Sequence, residues 1–291
     1  MARKRTFRRR RLPLAALLVA GLAGCATPPQ TAPAVEPALP AQDVPVIRAE
    51  YVHSEHRQAP VQLYLAYPAG LESTVDLPIV LYLHGRDGVR PTPIPYDTLA
   101  ALERLHREGS IPPFGFAVVD GGYNPYWNDG SANGELAAML HEELPRWLRE
   151  RGMGNADGLP FAVAGISTGG FGALNYAAER NRSGQPVAAV ADVAPALPLT
   201  WDHMREKNAF ATEEEWQSVD PLRRLEDLAD VPVGVWTGDE DPFLPGILRL
   251  VEQHPNTPVV TMRPGGHDPT VFEAIGGEFV GFLADALPTL D

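Results

Sequence analysis

The chain has 291 residues, of which 44% are hydrophobic and 21% charged, a balance that excludes a disordered chain and fits one large domain or two small ones. Seven of its 24 Lys and Arg residues lie in the first 24 positions, which hold no acid; beyond them 17 basic residues face 37 acidic ones, and a charge of −20 argues against a nucleic-acid partner. Cys25 is the only cysteine, which excludes an intramolecular disulfide and a cysteine-based zinc site.

In chain order, residues 2–11 form a basic region, and residues 12–23 form an apolar run too short to span a bilayer comfortably. The run ends in Leu22-Ala23-Gly24-Cys25, which resembles a bacterial lipobox. Such a box is cut before the cysteine, whose thiol then carries a diacylglyceryl group. The expectation is a lipoprotein signal peptide over residues 1–24 and lipidation at Cys25. The mature protein would be exported and anchored in a cell membrane, facing away from the cytoplasm. Residues 25–45 are rich in Pro and Ala and read as a semi-extended tether.

Residues 46–291 contain no second linker and read as one domain. Apolar runs at 61–67, 79–83, 116–119, 161–166, 187–193, 233–236 and 259–262 are the length of strands buried on both faces. Helical patterns at 96–108, 135–151, 171–180, 221–228, 246–253 and 271–287 lie between or after them. The alternation predicts an α/β fold: a mostly parallel central sheet with helices on both faces. In such sheets ligands bind at the carboxyl ends of the strands, so the polar residues just after each run are the candidates for a site.

Gly165-Ile166-Ser167-Thr168-Gly169-Gly170 ends one such run and opens a helix. This is G-x-S-x-G, in which small neighbours permit a sharp strand-to-helix turn that lifts the Ser167 hydroxyl clear of the sheet. A serine nucleophile needs a base, and the base needs an orienting acid. Gly238-Asp239-Glu240-Asp241-Pro242-Phe243 and Gly265-Gly266-His267-Asp268 follow later strands, in the order serine, acid, histidine. An oxyanion hole is expected from the backbone N–H of Thr168 and from that of Arg86, in the His84-Gly85-Arg86-Asp87-Gly88 loop. Residues 195–220 read as a small cap. Tyr126, Trp127, Trp201 and Phe243 are the candidates for substrate contacts. His53-x-x-His56 has metal-ligand spacing without further ligands, and no metal site is assigned to it.

GISTGG, TGDEDPF, GGHDPTVF and LYLHGRDG together resemble the α/β-hydrolase superfamily, in the branch that holds esterase D and the mycobacterial mycolyltransferases. The likeness spans roughly residues 50 to 287. It implies a Ser-His-acid triad, which falls on Ser167, His267 and Asp241, with an acyl-enzyme and no metal or organic cofactor. Pro242 and Phe243 also favour Asp241 over Asp239, because they stiffen and shield the loop around it. The expected activity is hydrolysis of a small-molecule or lipid carboxylic ester. The alternatives are an acyltransferase using the same residues, and a non-catalytic lipid-anchored binding protein.

Overall fold

Four of the apolar runs become strands with every residue buried: β3 (Ile79–Leu83), β4 (Gly115–Val119), β6 (Val190–Val193) and β7 (Val233–Gly238). With β1 (Val46–Ser54), β2 (Ala59–Tyr67), β5 (Ala162–Ile166) and β8 (Val259–Arg263) they form an eight-stranded sheet, ordered β1-β2-β4-β3-β5-β6-β7-β8. β1 and β2 enter antiparallel, and every pairing from β4 to β8 is parallel. The computed structural model describes residues 45–89 and 93–288. The expected signal peptide, Cys25 and the tether up to residue 44 lie outside them.

Each face of the sheet carries its own core. Helices α1 (Tyr96–Arg107) and α9 (Gly276–Asp285) cover one face, burying Leu99, Leu102, Phe279 and Leu283 against Tyr82, Phe116 and Trp236. The long α4 (Thr168–Arg182), the short α2 (Leu136–Ala138) and α3 (Leu144–Glu150), and α7 (Leu244–Gln253) cover the other. Burial on both faces explains why these strands read as continuous apolar runs rather than alternating ones.

Five features differ from the expectation. The run at 259–262, expected to be buried on both faces, is the edge strand β8, with no residue fully buried. β1 was not expected: it is an edge strand exposed at six of its nine residues, and its polar residues give no apolar run. The single helix expected at 135–151 is interrupted by a π-helical turn at Met139–Glu143. The pattern at 221–228 forms two 3₁₀ turns, Pro221–Arg223 and Leu225–Leu228. The helix expected at 271–287 splits into α8 (Pro269–Phe272) and α9. The split follows from a close approach: Gly276 donates its N–H to the Asp97 carboxylate at 2.7 Å, and a Cβ there would stand 2.4 Å from the Asp97 carbonyl.

The cap segment between β6 and β7 carries α5 (Trp201–Arg205) and α6 (Glu213–Val219). Thr200 and Thr212 cap their first turns, accepting from the N–H groups of His203 and Glu215. The Glu215 carboxylate reaches back to the Ala211 N–H and completes a capping box one residue out of its usual register.

Candidate active site

The turn between β5 and α4 brings chains too close for side chains. A Cβ on Gly169 would stand 1.9 Å from the Leu83 carbonyl oxygen, and one on Gly165 2.2 Å from that of Gly169. Glycine at both positions lets Ser167 take φ 57° and ψ −116°, a sparsely populated conformation that costs about 1–3 kcal/mol. The surroundings hold it there. Ser167 donates its N–H to Val193 at 2.9 Å, and its carbonyl accepts from Ala196 and Gly170 at 2.8 and 3.0 Å.

The loops after β7 and β8 meet beside this turn. The Ser167 Oγ–H donates to His267 Nε2 at 2.8 Å, and His267 Nδ1–H donates to Asp241 Oδ2 at 2.8 Å. The Asp241 side chain is fully buried, and its second oxygen accepts the Phe243 N–H at 2.8 Å. The rings of Phe243 and Phe272 stand edge-on to the imidazole at 5.1 and 5.3 Å. Asp239 does not reach the imidazole. Its carboxylate accepts the Gly265 N–H at 3.0 Å and ties the two loops together. A hydroxyl whose proton can pass to an imidazole held in one tautomer by a buried carboxylate is equipped for nucleophilic attack on a carbonyl.

Thr168 follows Ser167 directly in the chain, and Arg86 lines the same cavity. Among the described residues no group accepts from the N–H of Thr168 or Arg86. The Arg86 amide is set by His84, a buried side chain given no role by the sequence reading. His84 Nδ1–H donates to the Gly85 carbonyl at 2.7 Å, and Nε2 accepts the Gly121 N–H at 2.8 Å. Burial holds its pKa below the ordinary histidine value, so the ring stays neutral and can both donate and accept. In a trans peptide the C=O and N–H point in opposite directions; fixing the Gly85 carbonyl on the imidazole therefore turns the Arg86 N–H away from it. The signal for His84 was its place directly after the buried β3 run.

Ser167, Thr168 and His267 open into a cavity of about 640 Å³, within the range of small-molecule sites. Tyr126, Phe243 and Phe272 form its apolar wall, and Arg86, Asp87, Lys207 and Glu273 are its charged members. Of the four aromatic candidates, Tyr126 and Phe243 line this cavity, whereas Trp127 and Trp201 do not. Trp127 is buried behind the wall, where its indole N–H donates to the His84 carbonyl at 3.1 Å and its ring packs on the His84 imidazole. Trp201 stacks on Trp216 within the cap. Both were chosen for aromaticity, and both spend it on packing. His56 sits between the carboxylates of Glu135 and Glu142 at 2.9 and 3.0 Å, while His53 faces Glu55. Among the described residues no group of three or more His, Cys, Asp or Glu side chains is arranged to hold a metal ion.

Asp192, on β6, is the second residue that the sequence reading passed over. It is fully buried beneath the first turn of α4, and among the described residues neither carboxyl oxygen has a hydrogen-bond partner. Burial raises its pKa well above the ordinary carboxylate value. A charged residue inside an otherwise apolar run was the signal available for it.

A mostly parallel eight-stranded sheet with helices on both faces and a serine on the turn after β5 defines the α/β-hydrolase fold. Residues 54–273 match the esterase family, described as "Putative esterase". The chain belongs to this family and is a carboxylic ester hydrolase. No curated protein sequence matches it. Similar solved structures include a ferulic acid esterase, 18% identical with a TM-score of 0.66, over 85% of this chain and 100% of that one. An S-formylglutathione hydrolase from Agrobacterium tumefaciens is 15% identical with a TM-score of 0.61, over 84% of this chain and 96% of that one. A fluorophosphonate-binding serine hydrolase from Staphylococcus aureus is 16% identical with a TM-score of 0.58, over 83% of this chain and 99% of that one. At these identities the likeness concerns the fold.

Proposed function

We propose that the chain is a serine ester hydrolase that works through an acyl-enzyme on Ser167. His267 takes the Ser167 proton as the oxygen attacks the ester carbonyl. Asp241 holds the imidazole tautomer and stabilises the imidazolium that forms. The N–H groups of Thr168 and Arg86 receive the developing oxyanion, each worth about 3–4 kcal/mol by comparison with a measured donor in another hydrolase. His267 then protonates the leaving alcohol, and a water deprotonated by the same imidazole cleaves the acyl-enzyme. The steps use no metal or organic cofactor.

The observation that carries this reading is the unbroken chain Asp241–His267–Ser167, with both links at 2.8 Å, on a serine held at positive φ. A panel of 4-nitrophenyl esters from acetyl to long acyl chains tests it. The wild-type protein should hydrolyse at least one member, and Ser167→Ala should abolish that activity while keeping the fold, since only a hydroxyl on a turn is lost. Activity of Ser167→Ala within tenfold of wild type would overturn the reading. The substrate class is a small-molecule or lipid ester. The reading also includes a diacylglyceryl anchor at Cys25 that holds the domain on a membrane, facing away from the cytoplasm. Its support is the basic run, the short apolar run and the lone cysteine after Leu22-Ala23-Gly24.

A further inference from the structure

The acidic domain holds eight of its sixteen arginines against carboxylates. Arg104, Arg146, Arg151, Arg182, Arg205, Arg223, Arg224 and Arg263 each stand within ion-pair distance of a carboxylate. What matters for the site is that two cations outside this set line the cavity. Among the described residues neither Arg86 nor Lys207 is within ion-pair distance of a carboxylate, although both line the cavity at Ser167. Lys207 is also exceptional in the sequence, because the only other lysine in the chain is Lys4.

One residue brackets the two cations onto the same wall. Asn124 donates its side-chain N–H to the Lys207 carbonyl at 2.9 Å and accepts the Arg86 Nε–H at 3.2 Å, while its own N–H donates to the Arg86 carbonyl at 2.8 Å. Its φ of 52° is left-handed, a conformation that asparagine tolerates better than most residues. Lys207 places its ammonium 5.3 Å above the Phe243 ring, and Phe243 is the aromatic that stands edge-on to His267. Of the two acids that line the same cavity, Glu273 is turned to α1, where it accepts the Asp97 N–H at 3.1 Å, and Asp87 is exposed and within ion-pair distance of neither cation.

We propose that Arg86 and Lys207 form an anion subsite, and that the substrate is an ester carrying a carboxylate a few bonds from its scissile carbonyl. This rests on the reading of Ser167 as the nucleophile and narrows its substrate class. The short reach follows from position. The Lys207 ammonium stands 5.3 Å from the Phe243 ring centroid, and that ring stands 5.1 Å from the His267 imidazole, which bonds Ser167; Gly85, the neighbour of Arg86, brings its backbone beside Ser167, where an added Cβ would lie 3.4 Å from the Ser167 Cβ. Charge-assisted bonds from a guanidinium and an ammonium to a carboxylate are the strong class of hydrogen bond, and here both donors are ready without breaking an existing ion pair.

Two matched pairs of esters test the proposal: 4-acetoxybenzoate against its methyl ester, and 4-nitrophenyl hydrogen adipate against 4-nitrophenyl hexanoate. The first pair carries the carboxylate on the alcohol side and the second on the acyl side. Wild-type protein should prefer the anionic member of at least one pair in kcat/KM. Lys207→Met should lower that anionic-to-neutral ratio roughly tenfold or more, through KM, and Lys207→Arg should keep most of it. No preference in either pair, or a ratio that Lys207→Met leaves within twofold, would overturn the proposal. An equal loss on both members would also overturn it, by making Lys207 a packing residue. If no ester is hydrolysed, the reading of Ser167 fails by itself. Titration calorimetry with adipate on wild type and Lys207→Met then decides the anion subsite: weaker binding to the variant supports it, and equal or absent binding rejects it.

Discussion

Replacing Asp241 by asparagine changes one atom in a fully buried side chain, yet both of its hydrogen bonds constrain the outcome. Oδ1 accepts the Phe243 N–H at 2.8 Å, so the asparagine oxygen must stay there. The new amide N–H₂ then faces His267 Nδ1, where a carboxylate oxygen had stood 2.8 Å away. Two donors cannot share that gap, so the imidazole shifts its proton to Nε2 and presents an N–H to Ser167 Oγ. In that tautomer it cannot accept the serine proton. Loss of the orienting carboxylate in another serine triad lowers kcat about 10⁴-fold, equivalent to about 5.5 kcal/mol of barrier, and the same size is expected here. Asp239→Asn is the internal control. The Asp239 oxygen only accepts the Gly265 N–H, which an amide oxygen also can, so kcat should stay within about tenfold while stability falls slightly. Steady-state hydrolysis of 4-nitrophenyl acetate by both variants, with circular dichroism to confirm folding, makes the comparison. If Asp239→Asn is the inactive variant, or Asp241→Asn keeps kcat within tenfold of wild type, the assignment of the acid is wrong.

His84→Ala should lower kcat by roughly 10²–10³-fold, the cost of displacing one oxyanion donor, because the Gly85–Arg86 peptide loses its anchor; steady-state kinetics on a folded variant that stays within threefold of wild type would refute this. His141 is stacked on Tyr176, and burial lowers its pKa to about 4. The unfolded chain therefore binds a proton below about pH 6.5 that the folded chain refuses until about pH 4, and stability falls as the pH falls through that window. His141→Phe should remove about 2 kcal/mol of the stability lost between pH 7 and pH 5, read as urea unfolding at the two pH values; an unchanged difference between them would contradict it. Cys25→Ser should move the protein from the membrane fraction to the soluble fraction, because the diacyl anchor needs the thiol; unchanged membrane retention on fractionation would point to another anchor.

The strands that build the site were legible because burial on both faces leaves an unbroken apolar run: 79–83 is β3 to the residue, and 233–236 is the first part of β7. β1 was not legible, since an exposed edge strand needs no apolar residues and is defined by its pairing with β2. Ser167 and Asp241 follow the buried strands β5 and β7 and His267 follows the half-exposed edge strand β8, and the three could be picked out because the close-packed turns after these strands demand glycines, which mark the loops. The aromatic wall was only half legible. Tyr126 and Trp127 are neighbours with positive φ, and only the fold decides that the first lines the cavity and the second supports the loop behind it. Lys207 and Asn124 were missed for a different reason. Their relation to Arg86 is made by contacts across 83 and 38 residues of chain, which no local pattern encodes.

The central claim is that Ser167 is the nucleophile, and labelling by a fluorophosphonate tests it most directly. The folded protein should take up one phosphonyl group, peptide mass spectrometry should place it on the segment containing Ser167, and His267→Ala should slow its attachment by orders of magnitude. A folded protein that stays unlabelled, or that carries the label on any other residue, would contradict the account.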